Sequence, residues 1–263
     1  AIQGLSRTAF LEVTATDTAA LTGSSPSAQH RRYGARGIVD DYAHDDAVRV
    51  LLGLVATTAA RHDRFIEPVL ALFDGHHVRV SVLVRRSKEQ ASTVLSSMGW
   101  RMRTENGSYR FIHHPSESEI ERCSGPMWIG PLWNSDITSR LTEDRVLALC
   151  SPTPEDVKSA SALGLEWSDE DAEHAQRELR RSVRHIAEAS EVMGRPHQIY
   201  HMDSLPNMAG MPHGPRLADL VALLKQEGHL AARLPDIDPF VVTNAPFEDV
   251  VKAVQTLVNM KND

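Results

Sequence analysis

The chain has 263 residues, 41% hydrophobic and 24% charged, an ordinary globular composition that argues against low-complexity content. No apolar run reaches the ~18–20 residues of a membrane span. Two cysteines, Cys123 and Cys150, are too few for a disulfide framework, which fits a reducing cytoplasm. The net charge of −7 weighs against a wholly basic nucleic-acid binder but leaves room for local basic patches.

The opening Ala1-Ile2-Gln3-Gly4-Leu5-Ser6-Arg7 has the pattern of neither a signal nor a transit peptide. Lacking an initiator methionine, it reads as the last turns of a helix begun upstream, so the chain is expected to be a fragment. Phe10 to Thr16 is apolar and β-branched and predicts a buried strand ending at Asp17. Thr22 to Ser27 is loop chemistry. Asp45 to Ala60 places Val48, Leu51, Leu52, Val55 and Ala59 at helical spacing. His76 to Val84 alternates as a strand does, and Met98 to Ile112 reads as a hairpin turning at Asn106-Gly107. Met127 to Trp133 is aromatic and predicts a strand that closes a sheet.

Beyond Asn134 the pattern turns helical. Thr153-Pro154 reads as an N-cap with proline in the first turn. Ser168 and Asp171 read as a capping box, opening a helix of roughly 24 residues that stops at Gly194. Pro215 to Glu227 is amphipathic and stops at Gly228. His229 to Leu234 predicts a short strand, and Val250, Val254 and Leu257 a last helix. The boundary between the two regions falls between Trp133 and Thr142.

Six blocks carry a resemblance. They are Leu11-Glu12-Val13-Thr14-Ala15-Thr16-Asp17 continuing to Gly23; Arg32-Tyr33-Gly34-Ala35; His44 with Arg49-Val50-Leu51; Ala59-Ala60-Arg61 with Asp63 and Pro68; His76-His77-Val78-Arg79-Val80; and Gly125-Pro126-Met127-Trp128-Ile129-Gly130-Pro131-Leu132. Asn244-Ala245-Pro246-Phe247 follows near the end. In this order they resemble the tRNA guanine-26 N2-dimethyltransferase family. The resemblance implies an α/β fold: the C-terminal part of a class I, Rossmann-like methyltransferase sheet over residues 1–135, then a smaller, mostly helical domain over 136–263 that binds tRNA. Leu11–Thr16 would be the fifth strand. Val78–Val84 and Met127–Trp133 would close the sheet in antiparallel fashion. An unpaired fifth strand would favour aggregation.

The resemblance also implies S-adenosylmethionine as cofactor and transfer of one and then two methyl groups to guanine N2 of tRNA, in the cytoplasm. The family's Asp-Pro-Phe-Gly motif, its glycine-rich cofactor loop and its ribose-binding acid do not occur in these residues. Asp238-Pro239-Phe240-Val241 lacks the glycine and comes too late, so no catalytic residue is assigned and the chain alone is expected to be inactive. Gly99 to Arg122 has none of the four zinc-binding cysteines of many members, and the adjacent His113 and His114 of a strand point to opposite faces, so no metal is expected. Leu234-Pro235-Asp236-Ile237 departs from the family's Thr-His-Phe pattern.

Thr16 and Asp17, at the carboxyl end of a core strand, are candidates to line the guanine pocket, or Asp17 caps the next turn. Arg31, Arg32, Tyr33 and Arg36 make a basic loop suited to phosphate and exposed bases, or a solvated loop. Arg79 joins these candidates. Arg177, Arg180, Arg181 and Arg184 fall on one helical stripe, with Arg180 and Arg184 taken as RNA contacts. Glu178 and the acids before it make an intrahelical salt-bridge network the rival reading. His76, His77, Trp128 and Trp133 read as structural. The alternative function is a non-catalytic RNA- or partner-binding module on the same scaffold.

Overall fold

A computed structural model describes residues 2–166, 168–235, 237 and 239–260. Asp236 and Asp238, which belong to two stretches singled out above, lie outside the described residues. The chain opens with a 3-10 turn (Ile2–Gly4), then β1 (Thr8–Ala15), α1 (Thr18–Leu21), α2 (Pro26–Tyr33), α3 (Ala43–Ala60), β2 (Arg64–Phe73) and β3 (Val78–Arg86). α4 (Lys88–Ser92) leads to β4 (Met98–Arg103), β5 (Tyr109–Ile112) and β6 (Cys123–Trp128). Then come α5 (Ser135–Thr138), α6 (Glu143–Cys150), α7 (Pro154–Ala162), α8 (Asp169–Met193), β7 (Gln198–His201), α9 (Leu205–Met208), α10 (Leu217–Gln226), β8 (Ala231–Arg233), β9 (Phe240–Thr243) and α11 (Phe247–Asn259).

The first sheet has the order β1-β3-β2, with β3 antiparallel to both neighbours. Val78, Val80, Val82 and Val84 point to one face of β3 and are at most 1% exposed, because the strand is central and α3 covers that face. β1 pairs on one side only. Its residues alternate between exposed and half-buried, and Phe10 stays 57% exposed. The expected unpaired side of this strand is present among the described residues.

The closing pair is not the one anticipated. β3 pairs with β2, not with Met127–Trp133, whose first residues end β6 in a second sheet of order β5-β4-β6. Strand β2 escaped notice because Glu67-Pro68 interrupts its alternation. Pro68 is tolerated because β2 lies at the sheet edge, and the register shifts between Pro68 and Leu70. Thr22 to Ser25 is the expected turn, but from there on the stretch read as loop is helix: α2 has Pro26 in its first turn and stops at Gly34, which adopts φ 64°. The 98–112 hairpin forms as expected, with Asn106-Gly107 in its turn. Trp128 and Trp133 belong to the core, their indole N–H groups donating to the Pro131 and Ala71 carbonyls.

The later region is mostly helical, but it also holds a third antiparallel sheet of order β7-β9-β8. Only β8 was legible in the sequence; β7 and β9 are four residues each, too short to show a period. The Ser168–Asp171 capping box opens α8, whose 25 residues end at Met193, just before Gly194. A principal core runs from α3 and the first sheet to Ala189, Val192 and Met193 of α8 and to Ile199 and Val242 of the third sheet. A smaller core gathers Tyr200, Leu220, Leu224, Val241, Val250 and Val254.

Candidate functional site

β1 delivers Thr16 and Asp17 to the entrance of the α1–α2 segment. The Asp17 carboxylate makes no cap to α1; it accepts from Arg32 Nη1 instead. Asp17 is thereby pinned at the strand end, its side chain 32% exposed. Tyr33 is half-buried beside the pair, and its phenol is pushed above the usual value by burial and then by Asp17. Arg31 points outward and, among the described residues, bonds the carbonyl of Ser27 at 3.5 Å. Arg36 engages both oxygens of Glu121, with Nη1 donating to Oε1 at 2.9 Å, and its backbone exchanges two hydrogen bonds with Gly125 (2.7 and 2.8 Å).

The segment is held by a close approach of two backbones. A Cβ on Gly37 would lie 2.8 Å from Gln29 Nε2 and 3.0 Å from the Gly23 Cα, while Gly23 itself adopts φ 86°. Gln29 is buried and donates to the Leu21 carbonyl. Gly37→Ala is therefore expected to cost about 1–3 kcal/mol by overpacking. Urea unfolding checks this, and an unchanged midpoint would show that the loop yields freely.

Arg79, the second residue of β3, donates from Nε to Asp74 at 2.8 Å. Burial opposes the charge on Asp74, but hydrogen bonds from Arg79, His77 and His76 hold its carboxyl below the usual range. On α8 the arginine stripe divides. Arg177 pairs with Glu173 (3.5 Å) and Arg181 with Glu178 (3.9 Å), as the network reading expected. Arg180 and Arg184 are exposed and have no ion-pair partner among the described residues. A cleft of about 310 Å³ that the sequence did not reveal lies between the β2–β3 turn, α8 and β8; Asp74, Arg181, His185 and Arg233 line it.

Sequence reasoning also missed a buried ionic lattice. Arg101, on β4, is fully buried. Its Nε and Nη2 donate to Asp46 at 2.7 and 2.6 Å, and Nη1 and Nη2 to Asp40 at 3.1 and 3.0 Å. Burial opposes its charge, but Asp46 and Asp40 raise its pKa, so it stays ionised. Arg49, one turn after Asp45, donates to that carboxylate (2.6 Å), to the Trp128 and Gly130 carbonyls, and to His197 Nε2 (3.2 Å). His197 follows α8, so this lattice ties the helical region to α3. The only hint in the sequence was Asp45 and Arg49 at i and i+4 on an otherwise apolar helix.

No group of three or more potential metal ligands occurs among the described residues. S-adenosylmethionine would need a glycine-rich turn after a parallel strand and an acid for its ribose. Every strand pair among the described residues is antiparallel, so these residues do not by themselves fit the cofactor. No helix among the described residues is long and apolar enough to cross a membrane.

Three small antiparallel sheets and the helices packed among them make a mixed α/β fold. Trm1 from Pyrococcus horikoshii, solved with S-adenosyl-L-methionine, has the same fold: TM-score 0.74 at 22% identity, over 96% of this chain and 61% of that one. The chain belongs to the N2,N2-dimethylguanosine tRNA methyltransferase family, whose model matches residues 1–255. The tRNA (guanine(26)-N(2))-dimethyltransferase of Thermoplasma volcanium is 32% identical over 148 residues, 56% of this chain and 40% of the relative. That of Thermoplasma acidophilum is 33% identical over 150 residues, again 56% of this chain and 39% of the relative. The Aquifex aeolicus enzyme named for guanines 26 and 27 is 29% identical over 149 residues. These matches span about two fifths of the curated relatives' length.

Proposed function

We propose that this chain serves the N2-dimethylation of guanosine in tRNA, at position 26, with S-adenosylmethionine as methyl donor, in the cytoplasm. Residues 1–135 act as the carboxyl-terminal portion of the catalytic domain, and residues 136–263 hold the tRNA. The observation that carries this reading is the family match over residues 1–255. Thr16 and Asp17 line the guanine pocket, with Arg32 bracing Asp17. Tyr33 offers a ring to an exposed base. Arg31, Arg180 and Arg184 meet phosphate; Arg36 and Arg79, already bonded to carboxylates, shape the surface. Mass spectrometry of tRNA from cells lacking the gene tests the reading. Loss of dimethylguanosine is expected, and its full retention would overturn it.

Dimethylguanosine unchanged, with tRNA still bound by the chain, would instead favour the alternative, a non-catalytic RNA-binding module.

Replacing Arg180 and Arg184 by alanine is expected to weaken tRNA binding evenly across tRNA sequences. It should also lower the salt-dependence slope by about 2, roughly 1 for each phosphate no longer neutralised. Fluorescence anisotropy at several salt concentrations measures this, and an unchanged slope would place the tRNA elsewhere.

A further inference from the structure

Helices α6 and α7 contain no buried residue. Leu149 is 84% exposed, Leu163 80% and Leu165 62%, so three of the large exposed apolar side chains lie within one short stretch. In the same part of the chain a groove of about 290 Å³ runs between the α6–α7 connection and the first turns of α8, floored by Pro152, Val157, Ala172, Ala175 and Leu179. Apolar surface of this kind, rimmed by polar residues, marks a docking site.

Charge identifies what docks there. Residues 143–173 hold nine Asp and Glu against one Arg and one Lys. That surplus of seven negative charges equals the net charge of the whole chain. RNA is repelled, since its backbone seeks cations. An anionic membrane surface is repelled for the same reason. An identical arm on a second copy would set like charges against each other. The remaining complement is a protein segment with apolar residues on one side and lysine or arginine on the other, lying helix-in-groove.

We propose that the arm formed by α6, α7 and the start of α8 docks a basic amphipathic helix of a protein partner, with Leu149 and Leu163 as its apolar anchors. Leu179, at one end of the groove, directly precedes Arg180, so the groove borders the arginines assigned to tRNA, and the acids of residues 143–173 keep RNA off the groove itself.

The test uses the full chain and two labelled synthetic peptides with leucines at helical spacing, one with lysine and one with glutamate at the remaining positions. Fluorescence anisotropy is expected to show saturable binding of the lysine peptide only. The double variant Leu149→Glu, Leu163→Glu should weaken that binding about tenfold, although it adds negative charge. Both side chains are exposed, so circular dichroism should match the parent. Unchanged or tighter binding by the variant would reduce the attraction to charge alone and overturn the proposal. So would equal binding of the glutamate peptide, a dimer in sedimentation that the variant abolishes, or displacement of the lysine peptide from the parent chain by tRNA with no sensitivity to the variant.

Discussion

Arg101→Leu is expected to lower the folding free energy by about 3–5 kcal/mol, enough to shift the thermal midpoint by roughly 10 °C or more. The reason is what the change leaves behind. Asp46 is 2% exposed and takes two charge-assisted hydrogen bonds from Arg101; without them a carboxylate is stranded in the interior. Asp40 suffers less, because it is nearer the surface and has Arg103 at 3.6 Å. Arg101 also stacks beneath aromatic rings, 5.1 Å from the centroid of Tyr42 and 5.8 Å from that of Tyr109. The double replacement Arg101→Leu, Asp46→Leu removes both charges and should recover a large part of the loss, since a buried pair exchanged whole for apolar residues is often neutral. Urea unfolding of the three proteins provides the measurement. A single-variant loss below about 1 kcal/mol would mean that aromatic packing, not the ion pair, holds β4 to α3.

Acidification is expected to weaken the fold through His197. Burial, and then the neighbouring Arg49, push its pKa from the ordinary 6.5 down to about 4; Asp45 only partly opposes this. The folded chain therefore holds the imidazole neutral where the unfolded chain would protonate it. The sign follows from that depression. The contribution is complete above pH 6.5 and is lost as pH falls from there towards 4, amounting to about 3 kcal/mol. Neutrality is also required by geometry: Nδ1–H donates to the Arg195 carbonyl at 2.8 Å, leaving Nε2 to accept from Arg49. A proton on Nε2 would turn that hydrogen bond into a repulsion between two buried cations. Carboxylates elsewhere titrate in the lower part of the same window, so the decisive quantity is the difference between the parent and His197→Gln. The variant's stability should fall less steeply between pH 6.5 and 4. Parallel curves for the two proteins would refute the assignment.

Local chemistry was readable in the sequence wherever a residue acts on its neighbours. The Ser168–Asp171 box and Gly194 bounded α8, and the alternating valines marked β3. Asn106-Gly107 marked the turn of the hairpin, and the order of short motifs carried the family. What failed depended on partners far along the chain. β2 was hidden by Glu67-Pro68, which a strand tolerates only at a bulged edge, and being an edge is a property of the sheet, not of the strand. Met127–Trp133 looked like the sheet's closing strand because it is apolar and aromatic, yet composition does not select a pairing partner.

The candidate site divides along the same line. Thr16, Asp17 and the arginines of α2 were visible as types at a strand end and on a short basic stretch. Which of them are already bonded to carboxylates was not, because Glu121 lies 85 residues from Arg36. On α8 the i, i+3, i+4 spacing placed four arginines on one stripe; only the folded chain separates the paired Arg177 and Arg181 from Arg180 and Arg184, which have no ion-pair partner among the described residues. By itself the sequence determined the helix limits, the valine strand, the family and the acidic run between α6 and α8, since each follows from residues close in the chain. The tertiary structure alone decided that β2 pairs with β3 and that Arg49 and Arg101 are buried and neutralised. It also decided that the leucines of α6 and its neighbours face solvent, because burial and ion pairing depend on which distant segments fold against a residue.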